Sequence, residues 1–576
     1  MNSRNANRLG LALVLLCCCA PLFVGLGRGD LRGDEAAHSF SVDRMLESGD
    51  WLAPKSSPQE NDPFLEKPPL KFWIVAASIR LGLLPHDEFG LRFWDALFGS
   101  LAFLYVYAIG CRLAGPVCGV VSVFTLFAFW PLLFDHGLRG NNMEAPLLLC
   151  YCGGMYHFLR ASSDGQDGAR LHAIAVALYF VLGFMTKFVA ALFLPLVLAS
   201  AALVVPRYRE ALIRRWRLWA SVSALAVGLI APWFVYAQIR FGRQVWDVML
   251  GSQVYTRLTS YLNPEHVQPW PFYWVSLYKS FSYAGAAWLI AAGLLLLLVQ
   301  TVRRRWPEGW VILLWGLMPI VLISFGASKL VHYAYPFVPP FALAGGYLAA
   351  MIVMLAPAPL GRVRWPRVML AIVAVAAAVL AAETARSGEA SLSLAGHVLL
   401  RNTGVFRPLI VGLLAAVLAS RSRVAPRLAA ALVAVALVPV PAYAQNLARL
   451  GDGTAALRTM RDCLERVDRE RMSSPAGLYV DVADDEMEHH VYYYFRTVRP
   501  WTRADPAVPV RIDAYRNSVA RQRPMLVSAP RYQELLRAVQ QGDGIPDLPP
   551  AVTMDGVDVK LLLPGPYSAC GANAAR

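Results

Sequence analysis

Residues 9–27 read Leu-Gly-Leu-Ala-Leu-Val-Leu-Leu-Cys-Cys-Cys-Ala-Pro-Leu-Phe-Val-Gly-Leu-Gly, and Gly33-Asp34-Glu35 follows shortly afterwards. An apolar run of this length crosses the roughly 30 Å hydrocarbon core of a bilayer as one helix. Two arginines precede it, as in a signal peptide, but the run is longer than the usual apolar core of such a peptide. Because many similar runs follow, we expect an uncleaved first membrane helix with two carboxylates just beyond its end.

Similar apolar runs recur along most of the 576 residues. The chain is 57% hydrophobic and only 16% charged, whereas soluble domains average about 25% charged residues. This pattern predicts a polytopic α-helical membrane protein with about thirteen transmembrane helices. The predicted spans are 9–27, 92–113, 115–134, 143–160, 171–186, 188–205, 217–236, 283–302, 308–325, 333–356, 366–383, 406–420 and 425–444.

The short basic loops between these runs indicate the orientation of the chain. Loops rich in Lys and Arg remain in the cytoplasm, and a cytoplasmic N-terminus puts nearly every arginine cluster on that side. The odd number of helices then leaves the C-terminus outside. We therefore expect a transmembrane domain at 1–444, with outer loops at 28–91 and 237–282, and a soluble outer domain at 445–576.

The tail from residue 445 has the pattern of a small α/β domain. Helical patterns at 454–471 and 530–541 alternate with short apolar strands at Leu478–Val482, Pro524–Val527 and Val557–Leu563. Cys463 and Cys570 lie in this tail. If the tail is outside the cytoplasm, these two cysteines are free to form a disulfide.

The net charge of +15 fits basic cytoplasmic loops and attraction to anionic lipid. Nucleic-acid binding requires a basic, water-facing domain, and here the arginines lie in short clusters between apolar runs. Nucleic acid is therefore not an expected partner.

Three carboxylates stand close to membrane spans on the predicted outer face, where ionisable groups are costly and are functional candidates. Asp34 and Glu35 follow the first helix. They either act as a general base or hold a cation, or they simply begin a helix. Glu144 lies at the predicted outer end of a span. It is either a catalytic candidate or a carboxylate that interacts favourably with the N-terminal end of the helix dipole.

Several hydrogen-bond donors on the same face suit a phosphate. Lys67 follows Glu66 and precedes Pro68-Pro69, and its compact charge fits a lipid phosphate as well as it fits ordinary headgroup anchoring. Lys187 lies between two apolar runs, where it either snorkels or reaches a phosphate. Arg257, Lys329 and Tyr333 complete the set of donors. His266 with a nearby carboxylate is a candidate ligand for a divalent metal.

The order of these motifs resembles that of the GT-C glycosyltransferases of the protein O-mannosyltransferase type, and within them the bacterial aminoarabinose transferases of lipid A. The resemblance covers most of residues 9–350. Each motif is weak alone, but eight in the same order are specific to the superfamily. In this chain they are Asp34-Glu35, Ser48-Gly49-Asp50-Trp51, Glu66 to Pro69, Glu144 before Ala-Pro-Leu, Phe184 to Lys187, Ala231 to Trp233, Glu265-His266 before a Pro-Trp cluster, and Ser328 to Pro336.

The resemblance implies an inverting glycosyltransferase in the bacterial inner membrane, with a polyprenyl-phosphate sugar as donor and a periplasmic active site. It maps the base or acceptor-positioning acid to Asp34 and a second acid to Glu144. Lys67 maps to a ligand of the donor phosphate, with Lys187, Arg257, Lys329 and Tyr333 as further candidates. A metal seen in some relatives maps to Glu66 and His266.

The chain also departs from the aminoarabinose transferases. Ala37 and His38 stand where those proteins have Arg and Tyr, Glu144 replaces an Asp, and the motif around Lys329 carries His332. The sugar is therefore left open, and the acceptor is a lipid such as lipid A, a glycan or a protein. A transporter or flippase of a lipid-linked substrate is the alternative function. A transporter would place charges near the membrane midplane in repeated, broken halves, which this sequence does not show.

Overall fold

A computed structural model gives the fold of the chain. The residues it describes are 3–55, 63–163, 166–261, 263–355, 364–387, 390–394, 397–402, 412, 440–471, 478–481, 493–495, 498–501, 512–542, 547–553 and 559–574.

Helices make up most of the described residues. In chain order they are α1 (Ser3–Val14), α2 (Asp34–Ser48), α3 (Leu70–Arg80), α4 (Glu88–Ala114), α5 (Pro116–Ala128), α6 (Trp130–Phe134), α7 (Glu144–Ala161), α8 (Gln166–Lys187), α9 (Phe193–Val204), α10 (Pro206–Arg214), α11 (Trp216–Phe241), α12 (Gln244–Trp246), α13 (Arg257–Thr259), α14 (Phe272–Tyr283), α15 (Ala287–Arg304), α16 (Pro307–Ile323), α17 (Pro339–Leu355), α18 (Arg364–Ser387), α19 (Val440–Arg449), α20 (Ala456–Arg471), α21 (Ile512–Ala520), α22 (Ala529–Gln540) and α23 (Ser568–Ala574).

Short segments of 3-10 or π-helix extend or interrupt these helices. The 3-10 segments are Ala20–Phe23, Phe188–Leu192, Pro264–His266, Val331–Phe337 and Gly565–Tyr567, and the π segments are Leu15–Cys19 and Asp247–Thr256.

Several of the helices identify a multi-pass membrane protein. Within the described residues, 5 helices are long and apolar enough to cross a membrane, or 6 if the bent pair Val331–Phe337 and Pro339–Met354 is one span. Other apolar helices, such as Pro116–Ala128 and Pro307–Ile323, are shorter. The predicted spans 406–420 and 425–444 lie almost entirely outside the described residues. The count of about thirteen helices therefore remains a prediction.

One predicted span differs from the structure. The span predicted at 115–134 is broken at Phe129, where α5 ends and α6 begins, because a proline follows at the start of α6. The segment that follows Pro68-Pro69 forms α3. Its Phe72 and Val75 side chains are fully buried within the protein.

Small residues allow the membrane helices to pack closely. A Cβ atom on Gly110 of α4 would lie 2.6 Å from Cα of Gly119 in α5, so the two backbones touch where any larger side chain would separate them. Close approach at glycine is a common basis of helix packing in membranes. This contact belongs to the main apolar core, which joins α4, α5, α7, α9, α15, α16 and α17.

Two strands, β1 (Ala390–Leu394) and β2 (His397–Asn402), form a hairpin. The C-terminal strands are β3 (Leu478–Asp481), β4 (Val498–Trp501), β5 (Met525–Ser528), β6 (Ala551–Thr553) and β7 (Val559–Leu562). They form a mixed five-stranded sheet with the strand order β4-β3-β5-β7-β6. β3 runs parallel to β4 and β5, whereas β7 runs antiparallel to β5 and β6. Three of these strands, β3, β5 and β7, lie where the apolar segments predicted them. A separate soluble domain at 445–576 remains a prediction.

The C-terminal segments pack directly on the first predicted outer loop. Asp30 accepts hydrogen bonds from two backbone N–H groups at the start of α20, one of them at 2.8 Å. Arg458 of α20 forms an ion pair with Glu88, and the Tyr494 hydroxyl donates to Glu88 at 2.8 Å. These contacts hold the loop that carries Asp34 in one position.

Candidate active site

Four of the five predicted phosphate ligands line one cavity of about 290 Å³. Lys67 comes from the loop before α3, Lys187 from the end of α8, Arg257 from the start of α13, and Tyr333 from the 3-10 segment Val331–Phe337. The remainder of the wall is mostly apolar. It includes Phe188, Val189, Phe193, Met249, Val254, Leu322 and Ile323. We call this space the donor cavity.

Its cationic end is held together by direct contacts. Arg257 donates a hydrogen bond to the Tyr333 hydroxyl. The Lys187 ammonium lies 5.4 Å from the centroid of the Tyr333 ring, a cation–π distance. Three positive side chains and a phenol thus surround an apolar cleft, which suits an anionic headgroup attached to a hydrocarbon chain.

The backbone turns sharply at Lys187 because Phe188 has a φ of 45°. This left-handed conformation is costly for a large side chain. It ends α8 at Lys187 and directs the chain into the 3-10 segment whose first residues line the donor cavity. The α-helix is thus interrupted between the predicted spans 171–186 and 188–205, but Gly168–Val204 also qualifies as one apolar span, so the division into two spans remains a prediction.

Asp34 begins α2 and remains accessible, with 53% of its side chain exposed. Its Oδ2 lies 4.0 Å from Nδ1 of His136. Desolvation alone would raise the pKa of Asp34, but the positive charge of Lys67 and the nearby His38 outweigh it and hold the pKa well below its usual range. The carboxylate is therefore ionised and faces open space.

Glu35, the second predicted carboxylate, has a different environment. Its Oε1 accepts hydrogen bonds from Arg92 at 2.6 Å and from the Asn141 backbone at 2.9 Å. Its Oε2 accepts from Arg92 at 2.9 Å and from the Arg32 backbone at 3.3 Å. These four bonds use the lone pairs of the carboxylate. Glu35 thus holds α2 against α4 and is not free to accept a substrate proton.

Glu144 begins α7 and is buried, and it forms an ion pair with Lys187. Nε2 of His332 lies 3.7 Å from the same carboxylate oxygen. Glu144 therefore orients Lys187 at the wall of the donor cavity. The ion pair with Lys187 and the nearby His332 therefore occupy this carboxylate within the protein.

Lys329 does not join the other predicted phosphate ligands. Its side chain is buried, and Nζ donates to the Gln268 carbonyl at 2.5 Å. The neighbouring Ser328 lines the donor cavity instead. Lys329 thus ties the segment before Val331 to the loop that carries His266, and the structure does not bring it to the donor cavity.

The predicted metal ligands do not form a complete coordination site. Glu66 pairs with Lys67 at 3.6 Å, while Nδ1 of His266 is buried without a hydrogen-bond partner. Among the residues that the structure describes, no group of three or more His, Cys, Asp or Glu side chains is spaced to hold a metal ion. Two ligands alone are too few for the usual protein sites, so we derive no step through a metal.

Several important residues were not predicted as site residues. His38 lies 3.2 Å from the Lys67 ammonium, and the rings of His136 and His332 stack at 4.5 Å. The only signal in the sequence that could have pointed to them is the scarcity of histidine, since the chain has 10 in all. Three of these, His38, His136 and His332, lie around Asp34. Arg92 was placed inside a span with no indication of its partner.

The chain matches known proteins in sequence over part of its length. Residues 66–236 match the family profile described as dolichyl-phosphate-mannose-protein mannosyltransferase. The undecaprenyl phosphate-alpha-4-amino-4-deoxy-L-arabinose arabinosyl transferase of Pseudomonas savastanoi pv. phaseolicola is 28% identical over 341 residues, which cover 58% of this chain and 59% of the relative. The first enzyme of that name from Sodalis glossinidius is 26% identical over 318 residues, covering 54% of this chain and 53% of the relative. The chain thus spans less than two thirds of these relatives.

Solved structures match over nearly the whole fold. ArnT from Cupriavidus metallidurans bound to undecaprenyl phosphate has a TM-score of 0.62 and 18% identity, and the match covers 96% of this chain and 97% of that one. The apo oligosaccharyltransferase of Archaeoglobus fulgidus has a TM-score of 0.50 and 12% identity, covering 92% of this chain and 70% of that one. These likenesses confirm the resemblance that the motifs indicated: the chain has the GT-C fold and resembles the ArnT-type members of that glycosyltransferase superfamily.

Proposed function

We propose that the chain is an inverting glycosyltransferase that moves a sugar from a polyprenyl-phosphate donor to a lipid, glycan or protein acceptor. One observation carries the proposal. Lys67, Lys187, Arg257 and Tyr333 are far apart in sequence, yet they line one cleft with apolar walls. A protein that binds a prenyl phosphate needs both an anion-binding end for the phosphate and an apolar surface for the hydrocarbon chain. The ArnT structure with the same fold was solved with undecaprenyl phosphate.

The cationic end of the cleft has a direct role in the reaction. As the bond between C1 of the sugar and the phosphate oxygen breaks, negative charge builds on the departing phosphate. Fixed donors stabilise such charge most strongly in a partly dry site. Lys67, Lys187 and Arg257 supply the positive charge, and Tyr333, polarised by Arg257, supplies a phenolic hydroxyl. Glu144 keeps Lys187 in place.

Asp34 acts on the acceptor rather than on the donor phosphate. Direct attack of an acceptor hydroxyl on C1 inverts the configuration of the sugar and releases one proton. Asp34 is the exposed, ionised carboxylate next to the donor cavity, within electrostatic reach of Lys67. We assign it to the removal of that proton, directly or through a neighbouring base. The sugar itself remains open, because Ala37 and His38 occupy positions where the aminoarabinose transferases have other residues.

We place this site on the periplasmic face of a bacterial inner membrane, in a chain of about thirteen spans with a cytoplasmic N-terminus. The arginine clusters between the spans support this orientation. So does the disulfide between Cys463 and Cys570, because such bonds persist in oxidising compartments. The C-terminal region at 445–576 is then a periplasmic domain that packs on the loop of Asp34.

An assay with the full-length protein in nanodiscs tests the proposal. Synthetic polyprenyl-phosphate sugars are supplied together with a bacterial lipid extract, and free polyprenyl phosphate is measured by mass spectrometry. Wild-type protein should release it, and Asp34→Asn should lower the rate at equal protein level. If the donor stays intact in nanodiscs but crosses the bilayer of sealed proteoliposomes, with no cleavage of the sugar–phosphate bond, the protein is a flippase and not a transferase.

A further inference from the structure

A second cavity, of about 600 Å³, is polar and is lined by Gly33 and Glu35, the two chain neighbours of Asp34. Its walls carry cationic and anionic side chains together, among them Arg32, Asp135, Arg449 and Asp452. The donor cavity has a different character, with positive charge at one end and apolar walls. Mixed charge suits hydroxyl groups, since each hydroxyl both donates and accepts hydrogen bonds. We call this second space the polar cavity.

His136 stands at the boundary between the two cavities. It lines the polar cavity, and its ring stacks at 4.5 Å on His332, which lines the donor cavity. Nδ1 of His136 faces Asp34 at 4.0 Å, so Nε2 is the nitrogen left for a substrate. A separation of 4.0 Å is an ion-pair distance rather than a hydrogen bond. Catalytic contacts are often this long without substrate and shorten in the complex.

The backbone around His136 indicates that its position is imposed. Its φ of 50° is left-handed, a conformation that non-glycine residues adopt rarely and that clusters at functional sites. The surrounding turn is fixed, because the Leu138 N–H donates to the Leu132 carbonyl at 2.8 Å and the Leu138 side chain packs against Gly99. The fold therefore keeps His136 in a strained conformation that brings its ring to the boundary.

Asp34 needs such a partner for the chemistry assigned to it. A general base works best when its pKa is near the working pH. The positive surroundings hold the pKa of Asp34 well below that range, so the carboxylate is a weak proton acceptor. An imidazole is a better one, and an adjacent carboxylate can orient its ring and stabilise the imidazolium that forms.

We propose that the polar cavity binds a saccharide headgroup of the acceptor and that His136, oriented by Asp34, removes the proton from its attacking hydroxyl. This inference rests on the glycosyltransferase function and names its acceptor class and its base. The hydroxyl oxygen bonds to C1 of the sugar while the bond from C1 to the phosphate oxygen breaks. The electron pair of that bond leaves with the polyprenyl phosphate. The proton moves to Nε2 of His136 and is later released to solvent.

Charged and titratable groups lie around His136. Asp34 of α2, Asp135 of the same turn, Glu144 of α7 and His332 interact with it electrostatically. Lys67 and His38 act in turn on Asp34, and Lys187 pairs with Glu144. Because charges of both signs surround the ring, removing His136 itself is a cleaner test than changing its neighbours. The acid limb of kcat/KM reports the essential base of the free enzyme.

The experiment uses the nanodisc assay with His136→Gly and with imidazole added to the buffer. The variant should lose about 100-fold or more in kcat, the usual contribution of a general base, while the donor KM stays close to that of wild type. Added imidazole should restore part of the rate, because it can occupy the space left by the ring. Without imidazole, the pH profile of His136→Gly should lack the acid limb that the wild-type profile shows.

Lys67→Met is the matched control, since imidazole should not restore a rate that is lost through weaker donor binding. The inference is overturned if His136→Gly turns over like wild type. It is also overturned if the rate falls, imidazole has no effect and the acid limb is unchanged, because the role of His136 is then structural. Wild-type protein that cleaves none of the donors would contradict the glycosyltransferase function itself, which is a separate outcome.

Discussion

Lys67 and Lys71 are four residues apart, but only Lys67 faces the donor cavity. The Lys71 ammonium lies 2.7 Å from Oδ2 of Asp95 in α4, and both side chains are fully buried. It also donates to the Asn141 side chain at 2.6 Å. Lys67 remains partly exposed and contacts His38. One short segment therefore supplies both a candidate substrate ligand and a structural anchor, which leads to opposite expectations for the two lysines.

Replacing Lys71 with Met should destabilise the protein without a specific effect on substrate binding. The change leaves the Asp95 carboxylate buried and unpaired, which costs about 3–5 kcal/mol in comparable buried pairs. We expect a lower temperature of thermal unfolding, measured by intrinsic fluorescence of the purified protein. The double variant Lys71→Met/Asp95→Leu should recover much of the lost unfolding temperature, because it leaves no unpaired carboxylate buried. If Lys71→Met unfolds at the wild-type temperature, the ion pair does not contribute to stability.

Replacing Lys67 with Met should weaken donor binding and leave the stability of the protein nearly unchanged. Its ammonium is assigned to the donor phosphate, and a hydrogen bond to a charged group contributes about 1.5–3 kcal/mol. That range corresponds to a donor KM raised by about 10- to 100-fold, while the unfolding temperature stays close to that of wild type. Steady-state kinetics with a synthetic polyprenyl-phosphate sugar measure the change. An unaltered donor KM would remove Lys67 from the phosphate site.

The sequence predicted which ligands converge because they follow separate membrane spans on one face. Lys67 and Arg257 lie in the two predicted outer loops, and Lys187 and Tyr333 lie at predicted outer ends of apolar runs, so the predicted sidedness brings all four to one face of the membrane. Lys329 satisfies the same rule, but its side chain does not line the donor cavity. Position along the membrane normal is readable from hydropathy, whereas the direction of a side chain depends on a partner, here the Gln268 carbonyl.

The residues that support the site could not be predicted for a related reason. Arg92 lies in an apolar span and reaches Glu35 across the fold, and the His136–His332 stack joins two loops. Such pairs depend on tertiary packing, and single-sequence patterns carry no information about it. The adjacent carboxylates Asp34 and Glu35 show the same limit. Sequence treats them alike, but consecutive positions on a helix point in different directions, so Glu35 meets Arg92 and Asp34 faces open space.

Replacing Asp34 with Asn should lower kcat by about 100-fold or more, since proton transfer typically contributes that much. The pH dependence of the wild-type enzyme gives a second check. The pKa of Asp34 lies below its usual 3.8, so the carboxylate stays charged well into acid. Any loss of activity between pH 7 and about 5 must then come from another group, such as a histidine. An acid limb that appears only below pH 3.8 would instead place the essential proton on Asp34.

His38 makes the folded state sensitive to acid. Burial and the positive charge of Lys67 lower its pKa well below the usual 6.5, and Lys67 uses Nε2 as an acceptor while Nδ1 faces the Asn141 carbonyl at 2.9 Å. The unfolded chain therefore binds a proton near pH 6.5 that the folded chain does not. Stability is unaffected above that pH and falls as the pH is lowered below it. We expect His38→Gln to show a smaller drop in unfolding temperature between pH 7.5 and about 5.5. An equal drop in both proteins would assign the acid sensitivity elsewhere.

The disulfide between Cys463 and Cys570 closes a loop with a sequence separation of 107 residues. It joins α20, which packs on the loop of Asp34, to α23 at the end of the chain. A loop of this length restricts the unfolded state by about 4–5 kcal/mol in the chain-entropy view. The Cys463→Ser/Cys570→Ser variant should therefore be cleaved faster within 445–576 by limited proteolysis, and its activity should fall as the Asp34 loop loses this support. Protein purified from cells without reductant should gain a thiol label at these two positions only after reduction. Labelling without reduction would mean that the tail is not exposed to an oxidising compartment, and it would contradict the periplasmic orientation.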